Sequence, residues 1–143
     1  MPYRQTDDGP SSDATIEAWG TDLAELLTSA WRAALEVMID DADELPATTE
    51  IEVNISAADP EALLFDLIDE LIFNKDARGL LLLLDRPHIR EEKDGYHLRA
   101  VARGEHIDRL DAELGTDVKA VTFHQFTLQR SAEGWFARVV LDT

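Results

Sequence analysis

Two aspartates, Asp13 and Asp142, lie where predicted strands begin and end. Asp13 precedes the alternating segment ATIEAW, and Asp142 ends the alternating segment WFARVVLD, just before Thr143. Side-chain carboxylates, a terminal carboxylate and backbone carbonyls are the oxygen ligands that Ca²⁺ and Mg²⁺ prefer. Carboxylates that lie close together repel each other unless a cation lies between them. The spacing leaves two interpretations open: a shared cation site at Asp13, Asp142 and Thr143, or two separate exposed aspartates.

Lys119 is a further candidate functional residue, because it lies between apolar Val118 and Ala120 in a chain that has only three lysines. In one interpretation its stem covers apolar neighbours while its ammonium group reaches water. In the other, its compact charge neutralises nearby carboxylates or contacts a phosphate group. Strand alternation puts Lys119 and His124 on opposite faces unless a bulge intervenes. We expect His124 to be a hydrogen-bonded structural residue.

The composition excludes several classes of function. The chain of 143 residues has 30 acidic and 13 basic side chains, a formal net charge of −17. This balance argues against direct nucleic-acid binding and favours cations or basic partners, although a high-salt habitat would also explain it. The absence of cysteine excludes disulfides and thiolate metal sites. With no signal-peptide pattern and no apolar run of about 20 residues, we expect a cytoplasmic protein without a membrane span.

Common catalytic motifs are absent from the sequence. It contains neither a glycine-rich phosphate-binding loop nor a nucleophile elbow, and the four histidines lack the spacing of a zinc site. Asp66, Asp69 and Glu70 are interpreted as the solvated face of a helix, although Glu70 could approach the sheet. Lys75 and Lys93 are expected at a solvated helix end and in a turn.

The first half of the chain predicts a β–α–β–α order. A polar loop over residues 6–13 leads into the strand ATIEAW. The segment GTDLAELLTSAWRAALEVMIDD predicts a helix capped by Thr21 or Asp22, and TEIEVNIS alternates as a strand. The segment DPEALLFDLIDELIFNK predicts a second helix, capped by Asp59 and with Pro60 in its first turn.

The second half predicts mainly strands. Leu80–Leu84 is apolar on both faces, which is typical of a central strand. The segment HIREEKDGYHLRAVARG predicts a hairpin that turns at residues 93–95, and EHIDRLDAELG predicts a short amphipathic helix. VKAVTFHQFTLQR and WFARVVLD predict two strands joined by SAEG. We therefore expect one α+β domain over residues 1–143, with two main helices packed on a mostly antiparallel sheet.

The order of these segments resembles the archease family over most of the chain. The resemblance includes IEAWGTDLAELLTSAWRAALEVM, LLFDLIDELIF, the pair Gly104 and Glu105, VKAVTFH and the final VVLD. The most specific part is the KAVT–aromatic–His segment upstream of the final aspartate. The resemblance implies the two-layer archease fold.

The resemblance also implies a function. Archeases assist the RNA-splicing ligase that seals tRNA halves: they help it form a guanylylated histidine from GTP, promote multiple turnover, and are not ligases themselves. A divalent cation, calcium or magnesium, is implied at Asp13, Asp142 and Thr143, and Lys119 matches the family's important lysine. The family's N-terminal loop usually reads Asp-His-Thr-Ala-Asp, whereas residues 9–13 read GPSSD, with Asp7 and Asp8 nearby.

Two other functional classes are alternatives to the ligase activator. The altered loop favours a metal-independent binding module or chaperone, for example for a tRNA-modifying enzyme such as a methyltransferase. An independent enzyme is not favoured, since no nucleophile–base pair is evident. The expected partners are thus the RNA-splicing ligase or a tRNA methyltransferase.

Overall fold

The computed structural model describes residues 2–6, 13–110 and 114–143. In these ranges the chain forms two α-helices, two short 3₁₀ helices and eight strands. The helices are α1 (Leu23–Met38), α2 (Pro60–Arg78) and the 3₁₀ helices Ala42–Glu44 and Ile107–Arg109. The strands are β1 (Tyr3–Thr6), β2 (Asp13–Gly20), β3 (Thr49–Ala57), β4 (Leu80–Leu84), β5 (His88–Glu92), β6 (Gly95–His106), β7 (Ala120–Ser131) and β8 (Gly134–Asp142).

The strands form two antiparallel sheets. The first sheet has the order β1-β2-β8-β7, and the second has the order β3-β6-β4, with β5 also paired to β6. Each α-helix contacts strands of both sheets. The prediction of an α+β fold, with two main helices on antiparallel strands, is confirmed. The strands are divided between two sheets, whereas the sequence predicted one.

Both α-helices begin at the predicted capping residues. The carboxylate of Asp22 accepts a hydrogen bond from the Glu25 N–H at 2.8 Å, and Glu25 in turn accepts one from the Thr21 N–H at 2.7 Å. In α2, the Asp59 carboxylate accepts a hydrogen bond from the Ala62 N–H at 2.8 Å. These bonds satisfy amide groups that have no partner within the helix.

The helices and sheets share a leucine-rich core. Its largest fully buried side chains are Trp31, Ile16, Leu26, Leu27, Leu35, Ile39, Leu63, Leu64, Leu67, Ile68, Leu71 and Leu81. The two α-helices supply most of this set. Apolar side chains of the first sheet belong to this core, so the core determines which face of each strand points inward.

The prediction that Leu80–Leu84 is a central strand is wrong. In the described sheet β4 pairs only with β6, so it is an edge strand. Both helices contact it, and the Trp31 indole N–H donates a hydrogen bond of 2.8 Å to the Leu82 carbonyl. The leucines of β4 are therefore buried by contact with the helices, and not by strands on both sides.

Two other segments differ from the prediction. Strand β1 was not predicted, since YRQT has no apolar alternation. The short amphipathic helix expected over EHIDRLDAELG is wrong for its described part: Glu105 and His106 continue β6, and only Ile107–Arg109 turns, as a 3₁₀ helix. Residues 111–113 of this segment lie outside the described residues. Among the described helices, none has the length and apolar content needed to cross a membrane.

Candidate functional site

Asp13 and Asp142 lie opposite each other in the first sheet. They are register partners in the antiparallel pairing of β2 with β8. Directly opposed residues of such a pair have Cα atoms about 4.5–5.5 Å apart and side chains on the same face. Asp13 is half-buried and Asp142 is exposed. The two aspartates are therefore neighbours, although they are separated by most of the chain.

The register of β2 with β8 follows from the buried residues of both strands. Ile16 and Ala18 of β2, together with Val139 and Leu141 of β8, point into the core. Because side chains alternate along a strand, a slip of one residue would turn these groups to the opposite face. The same alternation places Asp142, next to buried Leu141, on the face away from the core.

Lys119 lies directly beside this aspartate pair. Its backbone N–H donates a hydrogen bond of 2.8 Å to the Asp142 carbonyl, and the next residue, Ala120, is the β7 partner of Asp142. The Lys119 side chain is exposed and makes no ion pair with the described residues, whereas Val118 is fully buried. Val118 thus anchors the strand entry in the core, and Lys119 brings a cation to the outside.

The segment that leads to Lys119 is held by three polar contacts. The Gly115 and Thr116 N–H groups donate to the carbonyls of Met38 and Val37 at 2.7 and 2.9 Å. A Cβ atom on Gly115 would lie 2.6 Å from the Val37 carbonyl oxygen, so only glycine fits. The third contact is the ion pair between Lys75 and Asp117. It fixes the position from which the Lys119 side chain extends.

This third contact corrects the prediction that Lys75 is solvated. The Lys75 ammonium lies 2.6 Å from an Asp117 carboxylate oxygen and also contacts Asp76. Only 8% of the Lys75 side chain is exposed. Burial alone would lower the pKa of Lys75, but the hydrogen bonds that its ammonium donates to Asp117 and Asp76 outweigh burial and raise that pKa. Lys75 therefore stays charged and anchors the loop.

The sheet face that carries Asp13 continues as polar rows. Thr15, two residues along β2, pairs with Thr6 and Val140. The hydroxyls of Thr6 and Thr15 are buried and have no hydrogen-bond partner among the described residues. In the next row the buried Glu17 carboxylate lies 2.6 Å from the Arg4 guanidinium and 3.2 Å from that of Arg138. Hydroxyl and carboxylate oxygens thus line the face beside the aspartates.

A bulge in β7 follows this face. Thr122 pairs with Val140 and Thr127 with Arg138, so residues 123–126 of β7 oppose one residue of β8. Gln125 adopts a left-handed backbone conformation with φ of 54°. His124 is exposed, and its ring makes no hydrogen bond within the described residues, unlike the structural histidine we expected. Lys119 and His124 would lie on opposite faces of a regular strand, and the bulge interrupts that alternation.

The predicted acidic face of α2 is present. Asp66 and Asp69 are exposed, and half-buried Glu70 accepts a hydrogen bond from the Asn74 side chain at 3.2 Å. Burial and the negative charge of Asp69 both raise the pKa of Asp66.

The sequence did not reveal a three-residue polar cluster at the β5–β6 hairpin. Glu92, Asp94 and His97 place ligand atoms within 4.8 Å of one another, which only the turn between the strands makes possible. The His97 ring nitrogens lie 3.1 Å from Asp94 and 2.8 Å from the Ser56 hydroxyl, and Glu92 contacts Arg90. The hydrogen bond with His97 lowers the pKa of Asp94. These groups are paired with each other, which accounts for the cluster without a metal ion.

Comparison with known proteins identifies the family. The model of the Archease protein family matches residues 3–143. The chain belongs to the archease family. The archease of Methanothermobacter thermautotrophicus is 38% identical over 132 residues, covering 92% of this chain and 93% of that protein. The archease of Methanosarcina acetivorans is 34% identical over 133 residues, with 92% and 90% covered.

Archease structures have the same fold. The solution structure of Methanobacterium thermoautotrophicum protein 1598 has a TM-score of 0.85 at 35% identity and covers 99% of both chains. The crystal structure of a Thermotoga maritima archease, described as a possible chaperone, has a TM-score of 0.65 at 25% identity and covers 98% of both chains. The loop positions at which this chain departs from the family's usual motif, residues 9–12, lie outside the described residues.

Proposed function

We propose that this archease is an accessory protein that activates the RNA-splicing ligase. It promotes guanylylation of the ligase's active-site histidine, and thereby multiple turnover, without being a ligase itself. One observation carries the proposal: Asp13 and Asp142 are register partners, and Lys119 hydrogen-bonds to the backbone of Asp142. Family membership supplies the kind of partner, and the geometry supplies a charged site that could act on it.

The residues at the aspartate pair fit a divalent cation. Asp13, Asp142 and Thr143 offer oxygen ligands. The Thr15 hydroxyl, which has no hydrogen-bond partner in the part of the chain that the structure describes, lies on the same face two residues from Asp13. Oxygen-only ligands suit Ca²⁺ or Mg²⁺ better than softer metals. A cation held there would neutralise the carboxylates and supply positive charge to a phosphate of the ligase-bound nucleotide. This supports calcium or magnesium as the cofactor.

Lys119 is proposed to provide the second positive charge. A lysine ammonium group is a compact charge that contacts phosphate oxygens from several directions. Because the segment before it is braced by the Lys75–Asp117 pair, the side chain extends from a fixed backbone. Preorganised charge of this kind stabilises the charge that develops on a transferring group. We therefore assign Lys119 to the nucleotide-transfer step in the ligase complex.

Single-turnover guanylylation of the ligase from the same organism, with labelled GTP, tests the proposal. We expect Lys119→Ala and Asp13→Asn each to reduce the stimulated rate by about tenfold or more, since each removes a preorganised charge. Lys93→Ala and Asp108→Asn are matched controls, because Lys93 and Asp108 are exposed and lie outside the site. The controls should stimulate like the wild type.

The outcomes separate the assignments. Equal stimulation by all five proteins would show that the site is wrong while leaving activation intact. Failure of the wild type to stimulate guanylylation would refute the proposed function.

A metal-independent chaperone for a tRNA-modifying enzyme, such as a methyltransferase, is the second candidate. The altered GPSSD loop favours it, as does the description of the Thermotoga relative as a possible chaperone. That function predicts no change of melting temperature in millimolar Ca²⁺ and a longer half-life of the methyltransferase at elevated temperature when this protein is added. The ligase activator predicts a higher melting temperature in Ca²⁺ and no effect on the half-life of the methyltransferase.

A further inference from the structure

Three phenylalanines form a surface cluster at the β7 bulge. Phe65 of α2 stacks on Phe123 with ring centroids 4.0 Å apart and planes 5° apart. Phe126 lies 6.2 Å from Phe65 and 5.7 Å from Phe123, at steep angles to both. Although it is stacked, Phe123 remains 67% exposed. Phe65, Phe123 and Phe126 are called the aromatic cluster below.

The aromatic cluster depends on a costly backbone feature. Residues 123–126 are the ones that bulge from β7, and Gln125 takes a left-handed conformation that non-glycine residues rarely adopt. A regular strand would keep the ladder with β8 intact and would turn fewer apolar groups toward water. Bulges of this kind re-aim side chains and are common next to functional sites. The bulge holds Phe123 outward and flat on Phe65.

The surface beside the cluster is negative. Asp66 and Asp69 lie on the exposed face of α2 next to Phe65, and neither makes an ion pair with the described residues. Burial and the negative charge of Asp69 both raise the pKa of Asp66. An apolar centre with uncompensated negative charge at its edge is complementary to an apolar pocket bordered by arginine or lysine.

The aromatic cluster follows the aspartate pair along β7 but lies on the helix side of the sheet. The bulge begins directly after Thr122, and Ala120, two residues earlier, is the β7 partner of Asp142. Phe123 stacks on a helix, whereas Asp142 lies on the sheet face away from the core. The docking residues and the charged residues therefore form two separate parts of the surface.

We propose that the aromatic cluster, with Asp66 and Asp69, is the surface that docks on the RNA-splicing ligase, inserting Phe123 into an apolar pocket bordered by basic residues. This inference rests on the proposed function for the identity of the partner. Docking depends on the aromatic cluster and the α2 aspartates, and stimulation depends on Lys119 and the aspartate pair. Partly exposed aromatic residues at the centre of a protein interface often supply most of its affinity.

Calorimetric titration of the ligase tests the docking surface. We expect Phe123→Ala to raise the Kd by about tenfold or more, as loss of an interface anchor does. The double variant Asp66→Asn/Asp69→Asn should weaken binding most at low salt, because screened charges contribute little at high salt. Phe73→Ala is the matched control: Phe73 lies on the same helix, is 50% exposed and contacts Arg78 outside the aromatic cluster. It should bind like the wild type, and circular dichroism should show all variants folded.

Guanylylation kinetics provide the second measurement. Phe123→Ala should raise the concentration required for half-maximal stimulation by about tenfold and leave the maximum unchanged, as expected for lost affinity. Lys119→Ala should instead lower the maximum.

Each outcome bears on one of the two hypotheses. If the wild type and Phe123→Ala bind the ligase equally, the docking surface is wrong and the proposed function stands. If the wild type binds through Phe123 but does not stimulate, the docking surface stands and the proposed activation is wrong. If the wild type does not bind the ligase, both are wrong. Self-association or binding to anionic vesicles that is lost in Phe123→Ala, without ligase binding, would assign the surface to another occupant and overturn the inference.

Discussion

The substitution Asp142→Asn should change the stability of the protein in opposite directions with and without calcium. Without a cation, the carboxylates of Asp13 and Asp142 repel each other across the β2–β8 pair. Asparagine at position 142 removes that repulsion and keeps the shape of the side chain. With calcium bound, the same substitution removes a ligand. The wild type should therefore be the less stable protein in EDTA and the more stable one in calcium.

The expected sizes follow from the geometry. Opposed like charges in a sheet cost up to about 1 kcal/mol, and the exposure of Asp142 reduces this to about 0.5 kcal/mol. In a chain of this length that is about 1–2 °C in melting temperature. A site with a Kd of about 0.1–1 mM, in about 10 mM calcium, adds about 1.4–2.7 kcal/mol, or about 4–8 °C.

Differential scanning calorimetry of the wild type, Asp142→Asn and Asp108→Asn measures both effects. Asp108 is an exposed aspartate of the 3₁₀ helix Ile107–Arg109, so its substitution changes the net charge equally but not the aspartate pair. Asp108→Asn should follow the wild type in EDTA and in calcium. Equal stabilisation of all three proteins by calcium, or an Asp142→Asn protein that melts below the wild type in EDTA, would refute the reasoning.

Four further substitutions test the fold that positions the site. Trp31→Phe removes the donor to the Leu82 carbonyl at the covered edge of β4, and urea unfolding should show a loss of about 2 kcal/mol; no loss would show that the edge is solvated. Asp22→Ala should cost about 1 kcal/mol at neutral pH. The Glu25 amide lowers the pKa of Asp22 below its usual 3.8, so this contribution is present above pH 3.8 and is lost as the pH falls through the lowered value; urea unfolding at several pH values should show the two proteins converging in acid. Gly104→Ala should lower the free energy of unfolding by about 3 kcal/mol or more, because its Cβ would lie 1.8 Å from the Leu81 carbonyl oxygen. Gly79→Ala, with open space around its Cβ, should lower it by about 1 kcal/mol, and thermal melts of both variants measure the difference.

Local signals predicted the helices well. Asp22 and Asp59 are capping residues whose preference is decided within a few neighbours, and Pro60 fits only the first turn of a helix. The hairpin of β5 and β6 was equally accessible, since its turn lies between adjacent segments. Interactions between residues that are close in the sequence can therefore be predicted from local sequence patterns.

Pairing between distant segments could not be read from the sequence. The alternation around Ile16 and Val139 is compatible with many partners, so nothing in it predicted that β8 lies beside β2, or that there are two sheets. The same limit applies to the site: the sequence supplied Asp13, Asp142 and Lys119 as candidates, and only the fold makes them neighbours. The leucines of β4 led to the wrong prediction of a central strand, because burial under helices and burial within a sheet select the same residue types.

The middle position of β8 in the first sheet affects the order of events during synthesis. The helices and the second sheet use residues up to 106, so they can assemble while the nascent chain is still attached to the ribosome. The first sheet lacks an inner strand until residues 134–142 have emerged, and until then β2 and β7 have open edges. Assembly of the charged site is thus delayed until residues 134–142 have been synthesised.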